Sequence, residues 1–287
     1  MKKQHIFIGG LHRSGTSLIH EIIKGHPAIS GFSNTGVPKD EGQHLQSLFP
    51  SAKMLGGPGH FGFNPNAHMD ENHLLATQEN ANKLFLEWGR YWDLSKNILI
   101  EKSPPNLLRT RFLQYLFPEC AFIVIIRHPI AVGIATQKWR KANMSSLLKH
   151  SLVCYKRFFN DMPFLNKLYI IRYEELVLNP IEEIEKLLSW AGLDNYNFNI
   201  DVTDCNKKYF SLWNTVERDS FFSNNNAEIC DQFDTNMKAY GYSLYEPFTL
   251  NNVFLDVANK STIKPEVDKV VSLVTTIPAK PAMRLSA

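Results

Sequence analysis

Residues 5–24, HIFIGGLHRSGTSLIHEIIK, constrain the fold more than any other segment of the chain. The apolar run Ile6, Phe7, Ile8 reads as a buried strand, and Gly9 and Gly10 open a tight loop. Ser14 to Ser17 then begin a segment with apolar residues at 18, 19, 22 and 23, one stripe of a helix. Strand, Gly-rich loop and helix start, in that order, make a cradle for phosphate. The free N–H groups of the loop point inward, and the helix N-terminus adds partial positive charge. A plain strand-to-helix turn capped by Ser14 is the simpler alternative, but a cap needs neither two glycines nor an internal arginine.

Counted from Gly10, the spacing is G-x-x-x-x-G-T-S, with Gly15, Thr16 and Ser17 closing it. A nucleotide-triphosphate loop has Lys where Thr16 stands, which argues against an ordinary ATPase or GTPase. Arg13 and His12 supply positive charge inside the loop instead.

The rest of the chain alternates strands with helices. A helix at 15–25 is followed by a polar, Gly-rich stretch over 30–66 and a helical segment over 67–93 carrying Leu74, Leu75, Leu84, Phe85 and Trp88. A strand at 97–101 precedes a break at Pro104-Pro105 and a helix over 106–117. Residues 120–126 (CAFIVII) form the clearest buried strand, then come helices near 130–141 and 145–160, a strand at 168–171 and a helix over 180–191. This order predicts an α/β, three-layer P-loop-type fold, a central parallel sheet flanked by helices. The stretch 30–66 is too long for a simple connection and is expected to be a functional loop or lid.

With 287 residues, 44% hydrophobic and 21% charged, the chain suits one sizeable domain, placed at 1–247, with 248–287 as a C-terminal extension. A net charge of +3 is too small to indicate nucleic-acid binding. No apolar run approaches bilayer-spanning length, and a first strand beginning by residue 5 or 6 leaves no room for a signal peptide. A cytoplasmic location is therefore expected. Cys120, Cys154, Cys205 and Cys230 are widely separated, so neither a metal site nor a disulfide framework is expected. Nothing in the sequence indicates an oligomeric state.

Parallel sheets bind ligands at the carboxyl ends of their strands. Those ends present His12 to Ser17, then Glu101-Lys102-Ser103, Arg127-His128 and Arg172-Tyr173-Glu174. Arg13, Lys102, Arg127 and Arg172 together make a cationic rim suited to a ligand with several phosphate or sulfate groups; the alternative is four solvated strand-end cations. Lys102 could instead simply pair with Glu101, and Arg172 with Glu174.

At these positions the chain resembles sulfotransferases that use 3'-phosphoadenosine 5'-phosphosulfate. GGLHRSGTS is similar to the family loop that holds the 5'-phosphosulfate. FIVIIRHPIAVGIATQKW, led by Arg127, is similar to the strand and helix that hold the 3'-phosphate. EKSPPNLLRTRFLQYLFPE and RYEELVLNPIEEIEKLLSWAGL supply a third and fourth family element, in matching order over about residues 5–195. The resemblance implies a co-substrate site of His12, Arg13, Ser14, Gly15, Thr16, Ser17, Arg127, Thr136 and Tyr173, with Tyr173 packing on adenine. It implies no metal requirement. Arg13 would stabilise the departing phosphate, and Lys102 would protonate or shield the leaving oxygen.

Two departures stand out. The family Ser eight residues after the R-x-P Arg is Ala135 here; Thr136 is one residue, about 100°, further around the helix, and Thr136 or Lys138 would have to substitute. The C-terminal RKGxxGDWK element is absent, and Tyr209, Trp213 or Arg218 in CNKKYFSLWNTVER are candidates to replace it. The position of the family's catalytic base also lacks a suitable residue, since its counterpart falls near Ser33 or Asn34. Glu41 is the favoured base, with His44 and Asp40 as rivals. His60 and His68 are candidate acceptor contacts. Trp88, Arg90, Tyr91 and Trp92 are candidates to shape the acceptor pocket, or else core and rim. The implied activity is sulfuryl transfer to a hydroxyl of a carbohydrate, glycolipid or other small metabolite. The alternatives are a non-catalytic 3',5'-phosphoadenosine-binding protein and, further behind, a P-loop kinase.

Overall fold

A computed structural model describes residues 3–198, 202–215 and 226–250. The β-branched runs form five strands: β1 (Gln4–Gly10), β2 (Ile29–Gly31), β3 (Ile98–Lys102), β4 (Ala121–Ile126) and β5 (Leu168–Arg172). They make one all-parallel sheet in the order β2-β3-β1-β4-β5, with Ile6 opposite Ile100 and Ile8 opposite Ile123. The chain runs outward from β1 to one side and then returns to its other side. The end of β1 is thus the switch point, flanked by the ends of β3 and β4.

Strand alternation divides the core. Ile6, Ile8, Ile98, Ile100, Ile123, Ile125 and Ile171 face one layer, built by α1 (Thr16–Ile23), α6 (Tyr173–Leu178) and α7 (Pro180–Ala191). Phe7, Leu99 and Phe122 face the other layer, packing on α2 (Gln78–Gly89) and α3 (Thr110–Leu116). Val124, Ile126 and Ile170 pack there on α4 (Pro129–Gln137), α5 (Met144–Asp161), α8 (Asn206–Thr215) and α9 (Asn226–Lys238). Helix α7 has Pro180 in its first turn and ends at Gly192 (φ 74°), where Leu193 N–H donates to Leu188 O and Gly192 N–H to Ser189 O. The three-layer α/β expectation is met.

Several local expectations are corrected. The stretch 30–66 is a packed layer of short 3-10 turns rather than a free lid, because Phe32, Leu45, Phe49, Ala52, Leu55 and Phe61 bury their side chains. The helix expected over 67–93 begins only at Gln78, where Thr77 Oγ1 accepts from Asn80 N–H; upstream, Leu74 stands 92% exposed. The segment 106–117 is a 3-10 turn (Pro104–Leu108) followed by α3. Strand β2 and helix α6 were not foreseen. Arg218 and residues 251–287, most of the proposed extension, lie outside the described residues.

Candidate functional site

The loop between β1 and α1 turns through two left-handed residues, Arg13 (φ 72°) and Gly15 (φ 111°). A side chain at Gly15 would be strained there, and its Cβ would lie 2.9 Å from Ile125 Cδ1 and 3.0 Å from Tyr173 Cδ2. Ser14 N–H donates to Leu11 O (3.1 Å), which closes the turn and leaves the first N–H groups of α1 facing the loop. Ser14 Oγ is buried, and it has no hydrogen-bond partner among the described residues; Arg13 Nε and His12 Nδ1 share that state. The Arg13 guanidinium lies over the exposed Trp139 ring at 4.5 Å.

Arg127, at the end of β4, staples this loop. Its Nη1 donates to Arg13 O (2.8 Å) and its Nε to Asn206 Oδ1 (2.8 Å). Its Cζ lies 3.8 Å over Tyr173 and 5.6 Å from Tyr209, while Nη2 has no hydrogen-bond partner among the described residues. Lys138 reaches the same neighbourhood, with Nζ 5.2 Å from the Tyr209 ring. Glu174 braces the arrangement from behind. Its Oε1 accepts from Asn206 Nδ2 (2.7 Å) and His128 N–H (2.9 Å), and its Oε2 from the Tyr242 hydroxyl (3.0 Å). His128 caps α4 through Nδ1 and donates from Nε2 to Ser243 O; burial pushes its pKa down to about 3, so it is neutral.

Three expectations change here. Tyr173 is buried beneath the Arg127 guanidinium, so its ring orients that arginine rather than offering an open face to adenine. Arg172 is ion-paired with Glu175 (3.9 Å), not Glu174, which is taken up by the bracing network. Thr136 is buried and its hydroxyl donates to Val132 O (2.7 Å) within α4, so it is not poised as a phosphate donor. Tyr209 and Trp213 are buried in the apolar core, the Tyr209 ring 5.6 Å from Arg127 Cζ.

On the other side of β1, alternation along β3 sends Lys102 to the α1 face and Glu101 to the opposite one. Lys102 is fully buried. Its Nζ donates to Lys39 O (2.8 Å), Ser17 Oγ (3.2 Å) and Glu41 Oε1 (3.3 Å). Burial lowers its pKa, and Glu41 opposes that shift. Its partner is therefore Glu41 rather than its sequence neighbour Glu101. Glu41 Oε2 accepts from Gln43 Nε2 and lies 3.9 Å from His44 Nε2. His12 completes the cluster: burial, with the charges of Lys102 and His44, pushes its pKa down to about 3. Asp40 is turned into its own loop, where Thr35 N–H (2.8 Å) and Thr35 Oγ1 (2.6 Å) donate to Oδ1 and hold its pKa low. Four of the foreseen residues, His12, Glu41, His44 and Lys102, are thus brought together at the loop.

Others are not. His68 pairs with Asp161 (2.7 Å), and the exposed His60 packs edge-on against Phe63. Trp88 and Trp92 are buried; the first donates from Nε1 to Gly42 O (2.9 Å), the second to Ile100 O (2.8 Å). Arg90 and Tyr91 are exposed. Gln43 and Asn206, which hold Glu41 and Arg127, carried no signal in the sequence. Among the described residues no cluster of three or more His, Cys, Asp or Glu side chains is placed to hold a metal, and no helix is long and apolar enough to cross a membrane.

Comparison with known proteins bears on this geometry. No curated protein matches the chain. Among solved structures it is similar to the sulfotransferase domain from the curacin biosynthetic pathway, at 16% identity and TM-score 0.45 over 81% of this chain and 97% of that one. It is similar to sulfotransferase STF1 from Mycobacterium tuberculosis H37Rv at 13% identity and TM-score 0.48, over 81% and 77%. The sulfotransferase domain of the Synechococcus PCC 7002 olefin synthase gives 16% identity and TM-score 0.44, over 97% and 98%. The sequence profile of the sulfotransferase family matches residues 5–197, which span all five strands and the loop, Lys102 and Arg127 that converge on the switch point. The chain belongs to the sulfotransferase family.

Proposed function

We propose that the protein moves the sulfuryl group of 3'-phosphoadenosine 5'-phosphosulfate to a hydroxyl acceptor. The observation that carries this reading is the set of buried polar groups in and beside the loop that have no hydrogen-bond partner among the described residues. Ser14 Oγ, Arg13 Nε and Arg127 Nη2 are desolvated at a cost that an anionic ligand would offset. Ser14 Oγ, Arg13 Nε and the N–H groups of residues 13–17 would hold the 5'-phosphate end, and Arg127, with Lys138 nearby, the 3'-phosphate.

When bound, the donor supplies a sulfuryl group whose S–O bond to the 5'-phosphate breaks as the bond to the acceptor oxygen forms. Arg13 and Lys102 would offset the negative charge that builds on the departing phosphate. Glu41, a carboxylate held beside Lys102, would take the acceptor proton; His44 is the adjacent alternative. The acceptor is a small-molecule or glycan hydroxyl.

Calorimetric titration with 3',5'-phosphoadenosine, beside ATP with magnesium, tests the reading. Metal-independent micromolar binding that weakens by about tenfold or more in Arg127→Ala supports it. Preference for magnesium–ATP, or no nucleotide binding, overturns it.

A further inference from the structure

Behind Glu41 lies a second carboxylate with no role in the scheme above. Glu101 is fully buried, on the face of β3 opposite Lys102. Its Oε1 accepts from Ser103 Oγ (2.5 Å) and its Oε2 from Asn106 Nδ2 (2.5 Å), which also donates to Ile8 O in β1 (3.1 Å). Ser103 Oγ in turn accepts from Gln43 N–H (2.9 Å). The Gln43 side chain is pinned at both ends: Oε1 accepts from Ala52 N–H (2.7 Å), and Nε2 donates to Glu41 Oε2. A continuous chain, Glu101–Ser103–Gln43–Glu41, therefore runs from the middle of the sheet to the candidate base.

Packing reinforces the chain. A methyl group on Gly42 would collide with the Glu101 carboxyl, so that carboxyl sits directly against the backbone between Glu41 and Gln43. Trp88 Nε1 donates to Gly42 O of the same backbone (2.9 Å). The backbone of the turn Gly42–His44 is thus held by a tryptophan and packed against a buried carboxyl, and Glu41 is the residue that leads into it.

We infer that Glu101 is a positioning residue: through Ser103 and Gln43 it fixes the Glu41 carboxyl against Lys102. The chemistry fits. A carboxyl is an acceptor for both Ser103 and Asn106, and it orients the Ser103 hydroxyl so that its lone pair faces Gln43 N–H. An apolar residue of equal volume would fill the space and leave Ser103 free to rotate. The inference rests on the reading of Glu41 as the base, but the placement of Glu41 can be tested separately.

The test compares wild type with Ser103→Ala, Glu101→Gln and the double variant, in the full chain. Three quantities are read: the carboxyl-carbon resonance of Glu41, assigned with Glu41→Gln; affinity for 3',5'-phosphoadenosine; and sulfate release from 3'-phosphoadenosine 5'-phosphosulfate to water. The expected result is a displaced Glu41 resonance in each variant. Sulfate release falls about tenfold while nucleotide affinity stays within about twofold, and the double variant is no worse than either single one. A Glu41 resonance unchanged in the folded variants, losses that multiply, or affinity falling in step with rate overturns the inference. A wild type that binds nucleotide but releases no sulfate counts against the proposed activity alone, because the resonance still decides whether Glu101 positions Glu41. Ser103→Ala and Glu101→Gln break the chain at different links, so either one suffices if the other fails to fold.

Discussion

Removing the Lys102 charge is expected to destabilise the protein strongly, and removing its partner as well is expected to restore most of the loss. In wild type the Lys102 ammonium is fully buried and Glu41 Oε1 lies 3.3 Å from it. Lys102→Met leaves Glu41 with the bond from Gln43, His44 at 3.9 Å and little solvent, its side chain being 11% exposed. Breaking one partner of a buried pair costs about 3–5 kcal/mol; the residual exposure and the Gln43 bond put this case near 3 kcal/mol. In a domain of this size that corresponds to a fall in Tm of about 6–12 °C. Burial already lowers the Lys102 pKa, so the pair carries a desolvation cost of its own. The Lys102→Met, Glu41→Gln double variant removes both charges and should lie within about 1 kcal/mol of wild type. Urea unfolding followed by circular dichroism at neutral pH measures all three. A single variant within about 1 kcal/mol of wild type, or a double variant no better than Lys102→Met, would refute the reasoning.

Three further outcomes follow from particular contacts. Burial raises the Glu101 pKa to about 7 from 4.5, so its contribution to stability is present below the unfolded value and is lost as pH rises through 7. Wild type should lose roughly 2–3 kcal/mol between about pH 5 and pH 8 from this group, and Glu101→Gln should not; parallel urea profiles at the two pH values would count against it. Gly15→Ala should cost at least about 2 kcal/mol, from a left-handed alanine and its clash with Ile125 and Tyr173, and should abolish 3',5'-phosphoadenosine binding; a calorimetric titration matching wild type contradicts this. Thr136→Val should leave nucleotide affinity within about twofold of wild type, since the hydroxyl is spent on Val132 O; a loss of about tenfold would mean that it turns to the ligand instead.

The sheet and the loop were legible because their signals are local. Residues 120–126 and the run before Gly9 are short, apolar and β-branched, and the loop spacing is contained in eight residues. Strand β2 was missed because three residues carry no period. The layer over 30–66 looked like a lid because it is long, polar and Gly-rich, and only tertiary packing shows that Phe32, Leu45, Phe49 and Phe61 are core. Glu41 and Lys102 could be named separately from the sequence, but their contact joins residues 61 apart. The Glu101–Lys102 pairing could have been ruled out in advance, since neighbours on a strand point to opposite faces. Asn206 lies 79 residues from the Arg127 it holds, and nothing near it in sequence marks that role.

The most direct measurement is transfer of radiolabelled sulfate from 3'-phosphoadenosine 5'-phosphosulfate to water and to a panel of hydroxyl acceptors, by wild type and by Glu41→Gln. The account predicts metal-independent transfer by wild type, reduced about a hundredfold in Glu41→Gln while affinity for 3',5'-phosphoadenosine is retained. Absence of transfer by a wild type that binds the nucleotide, or full transfer by Glu41→Gln, would contradict it.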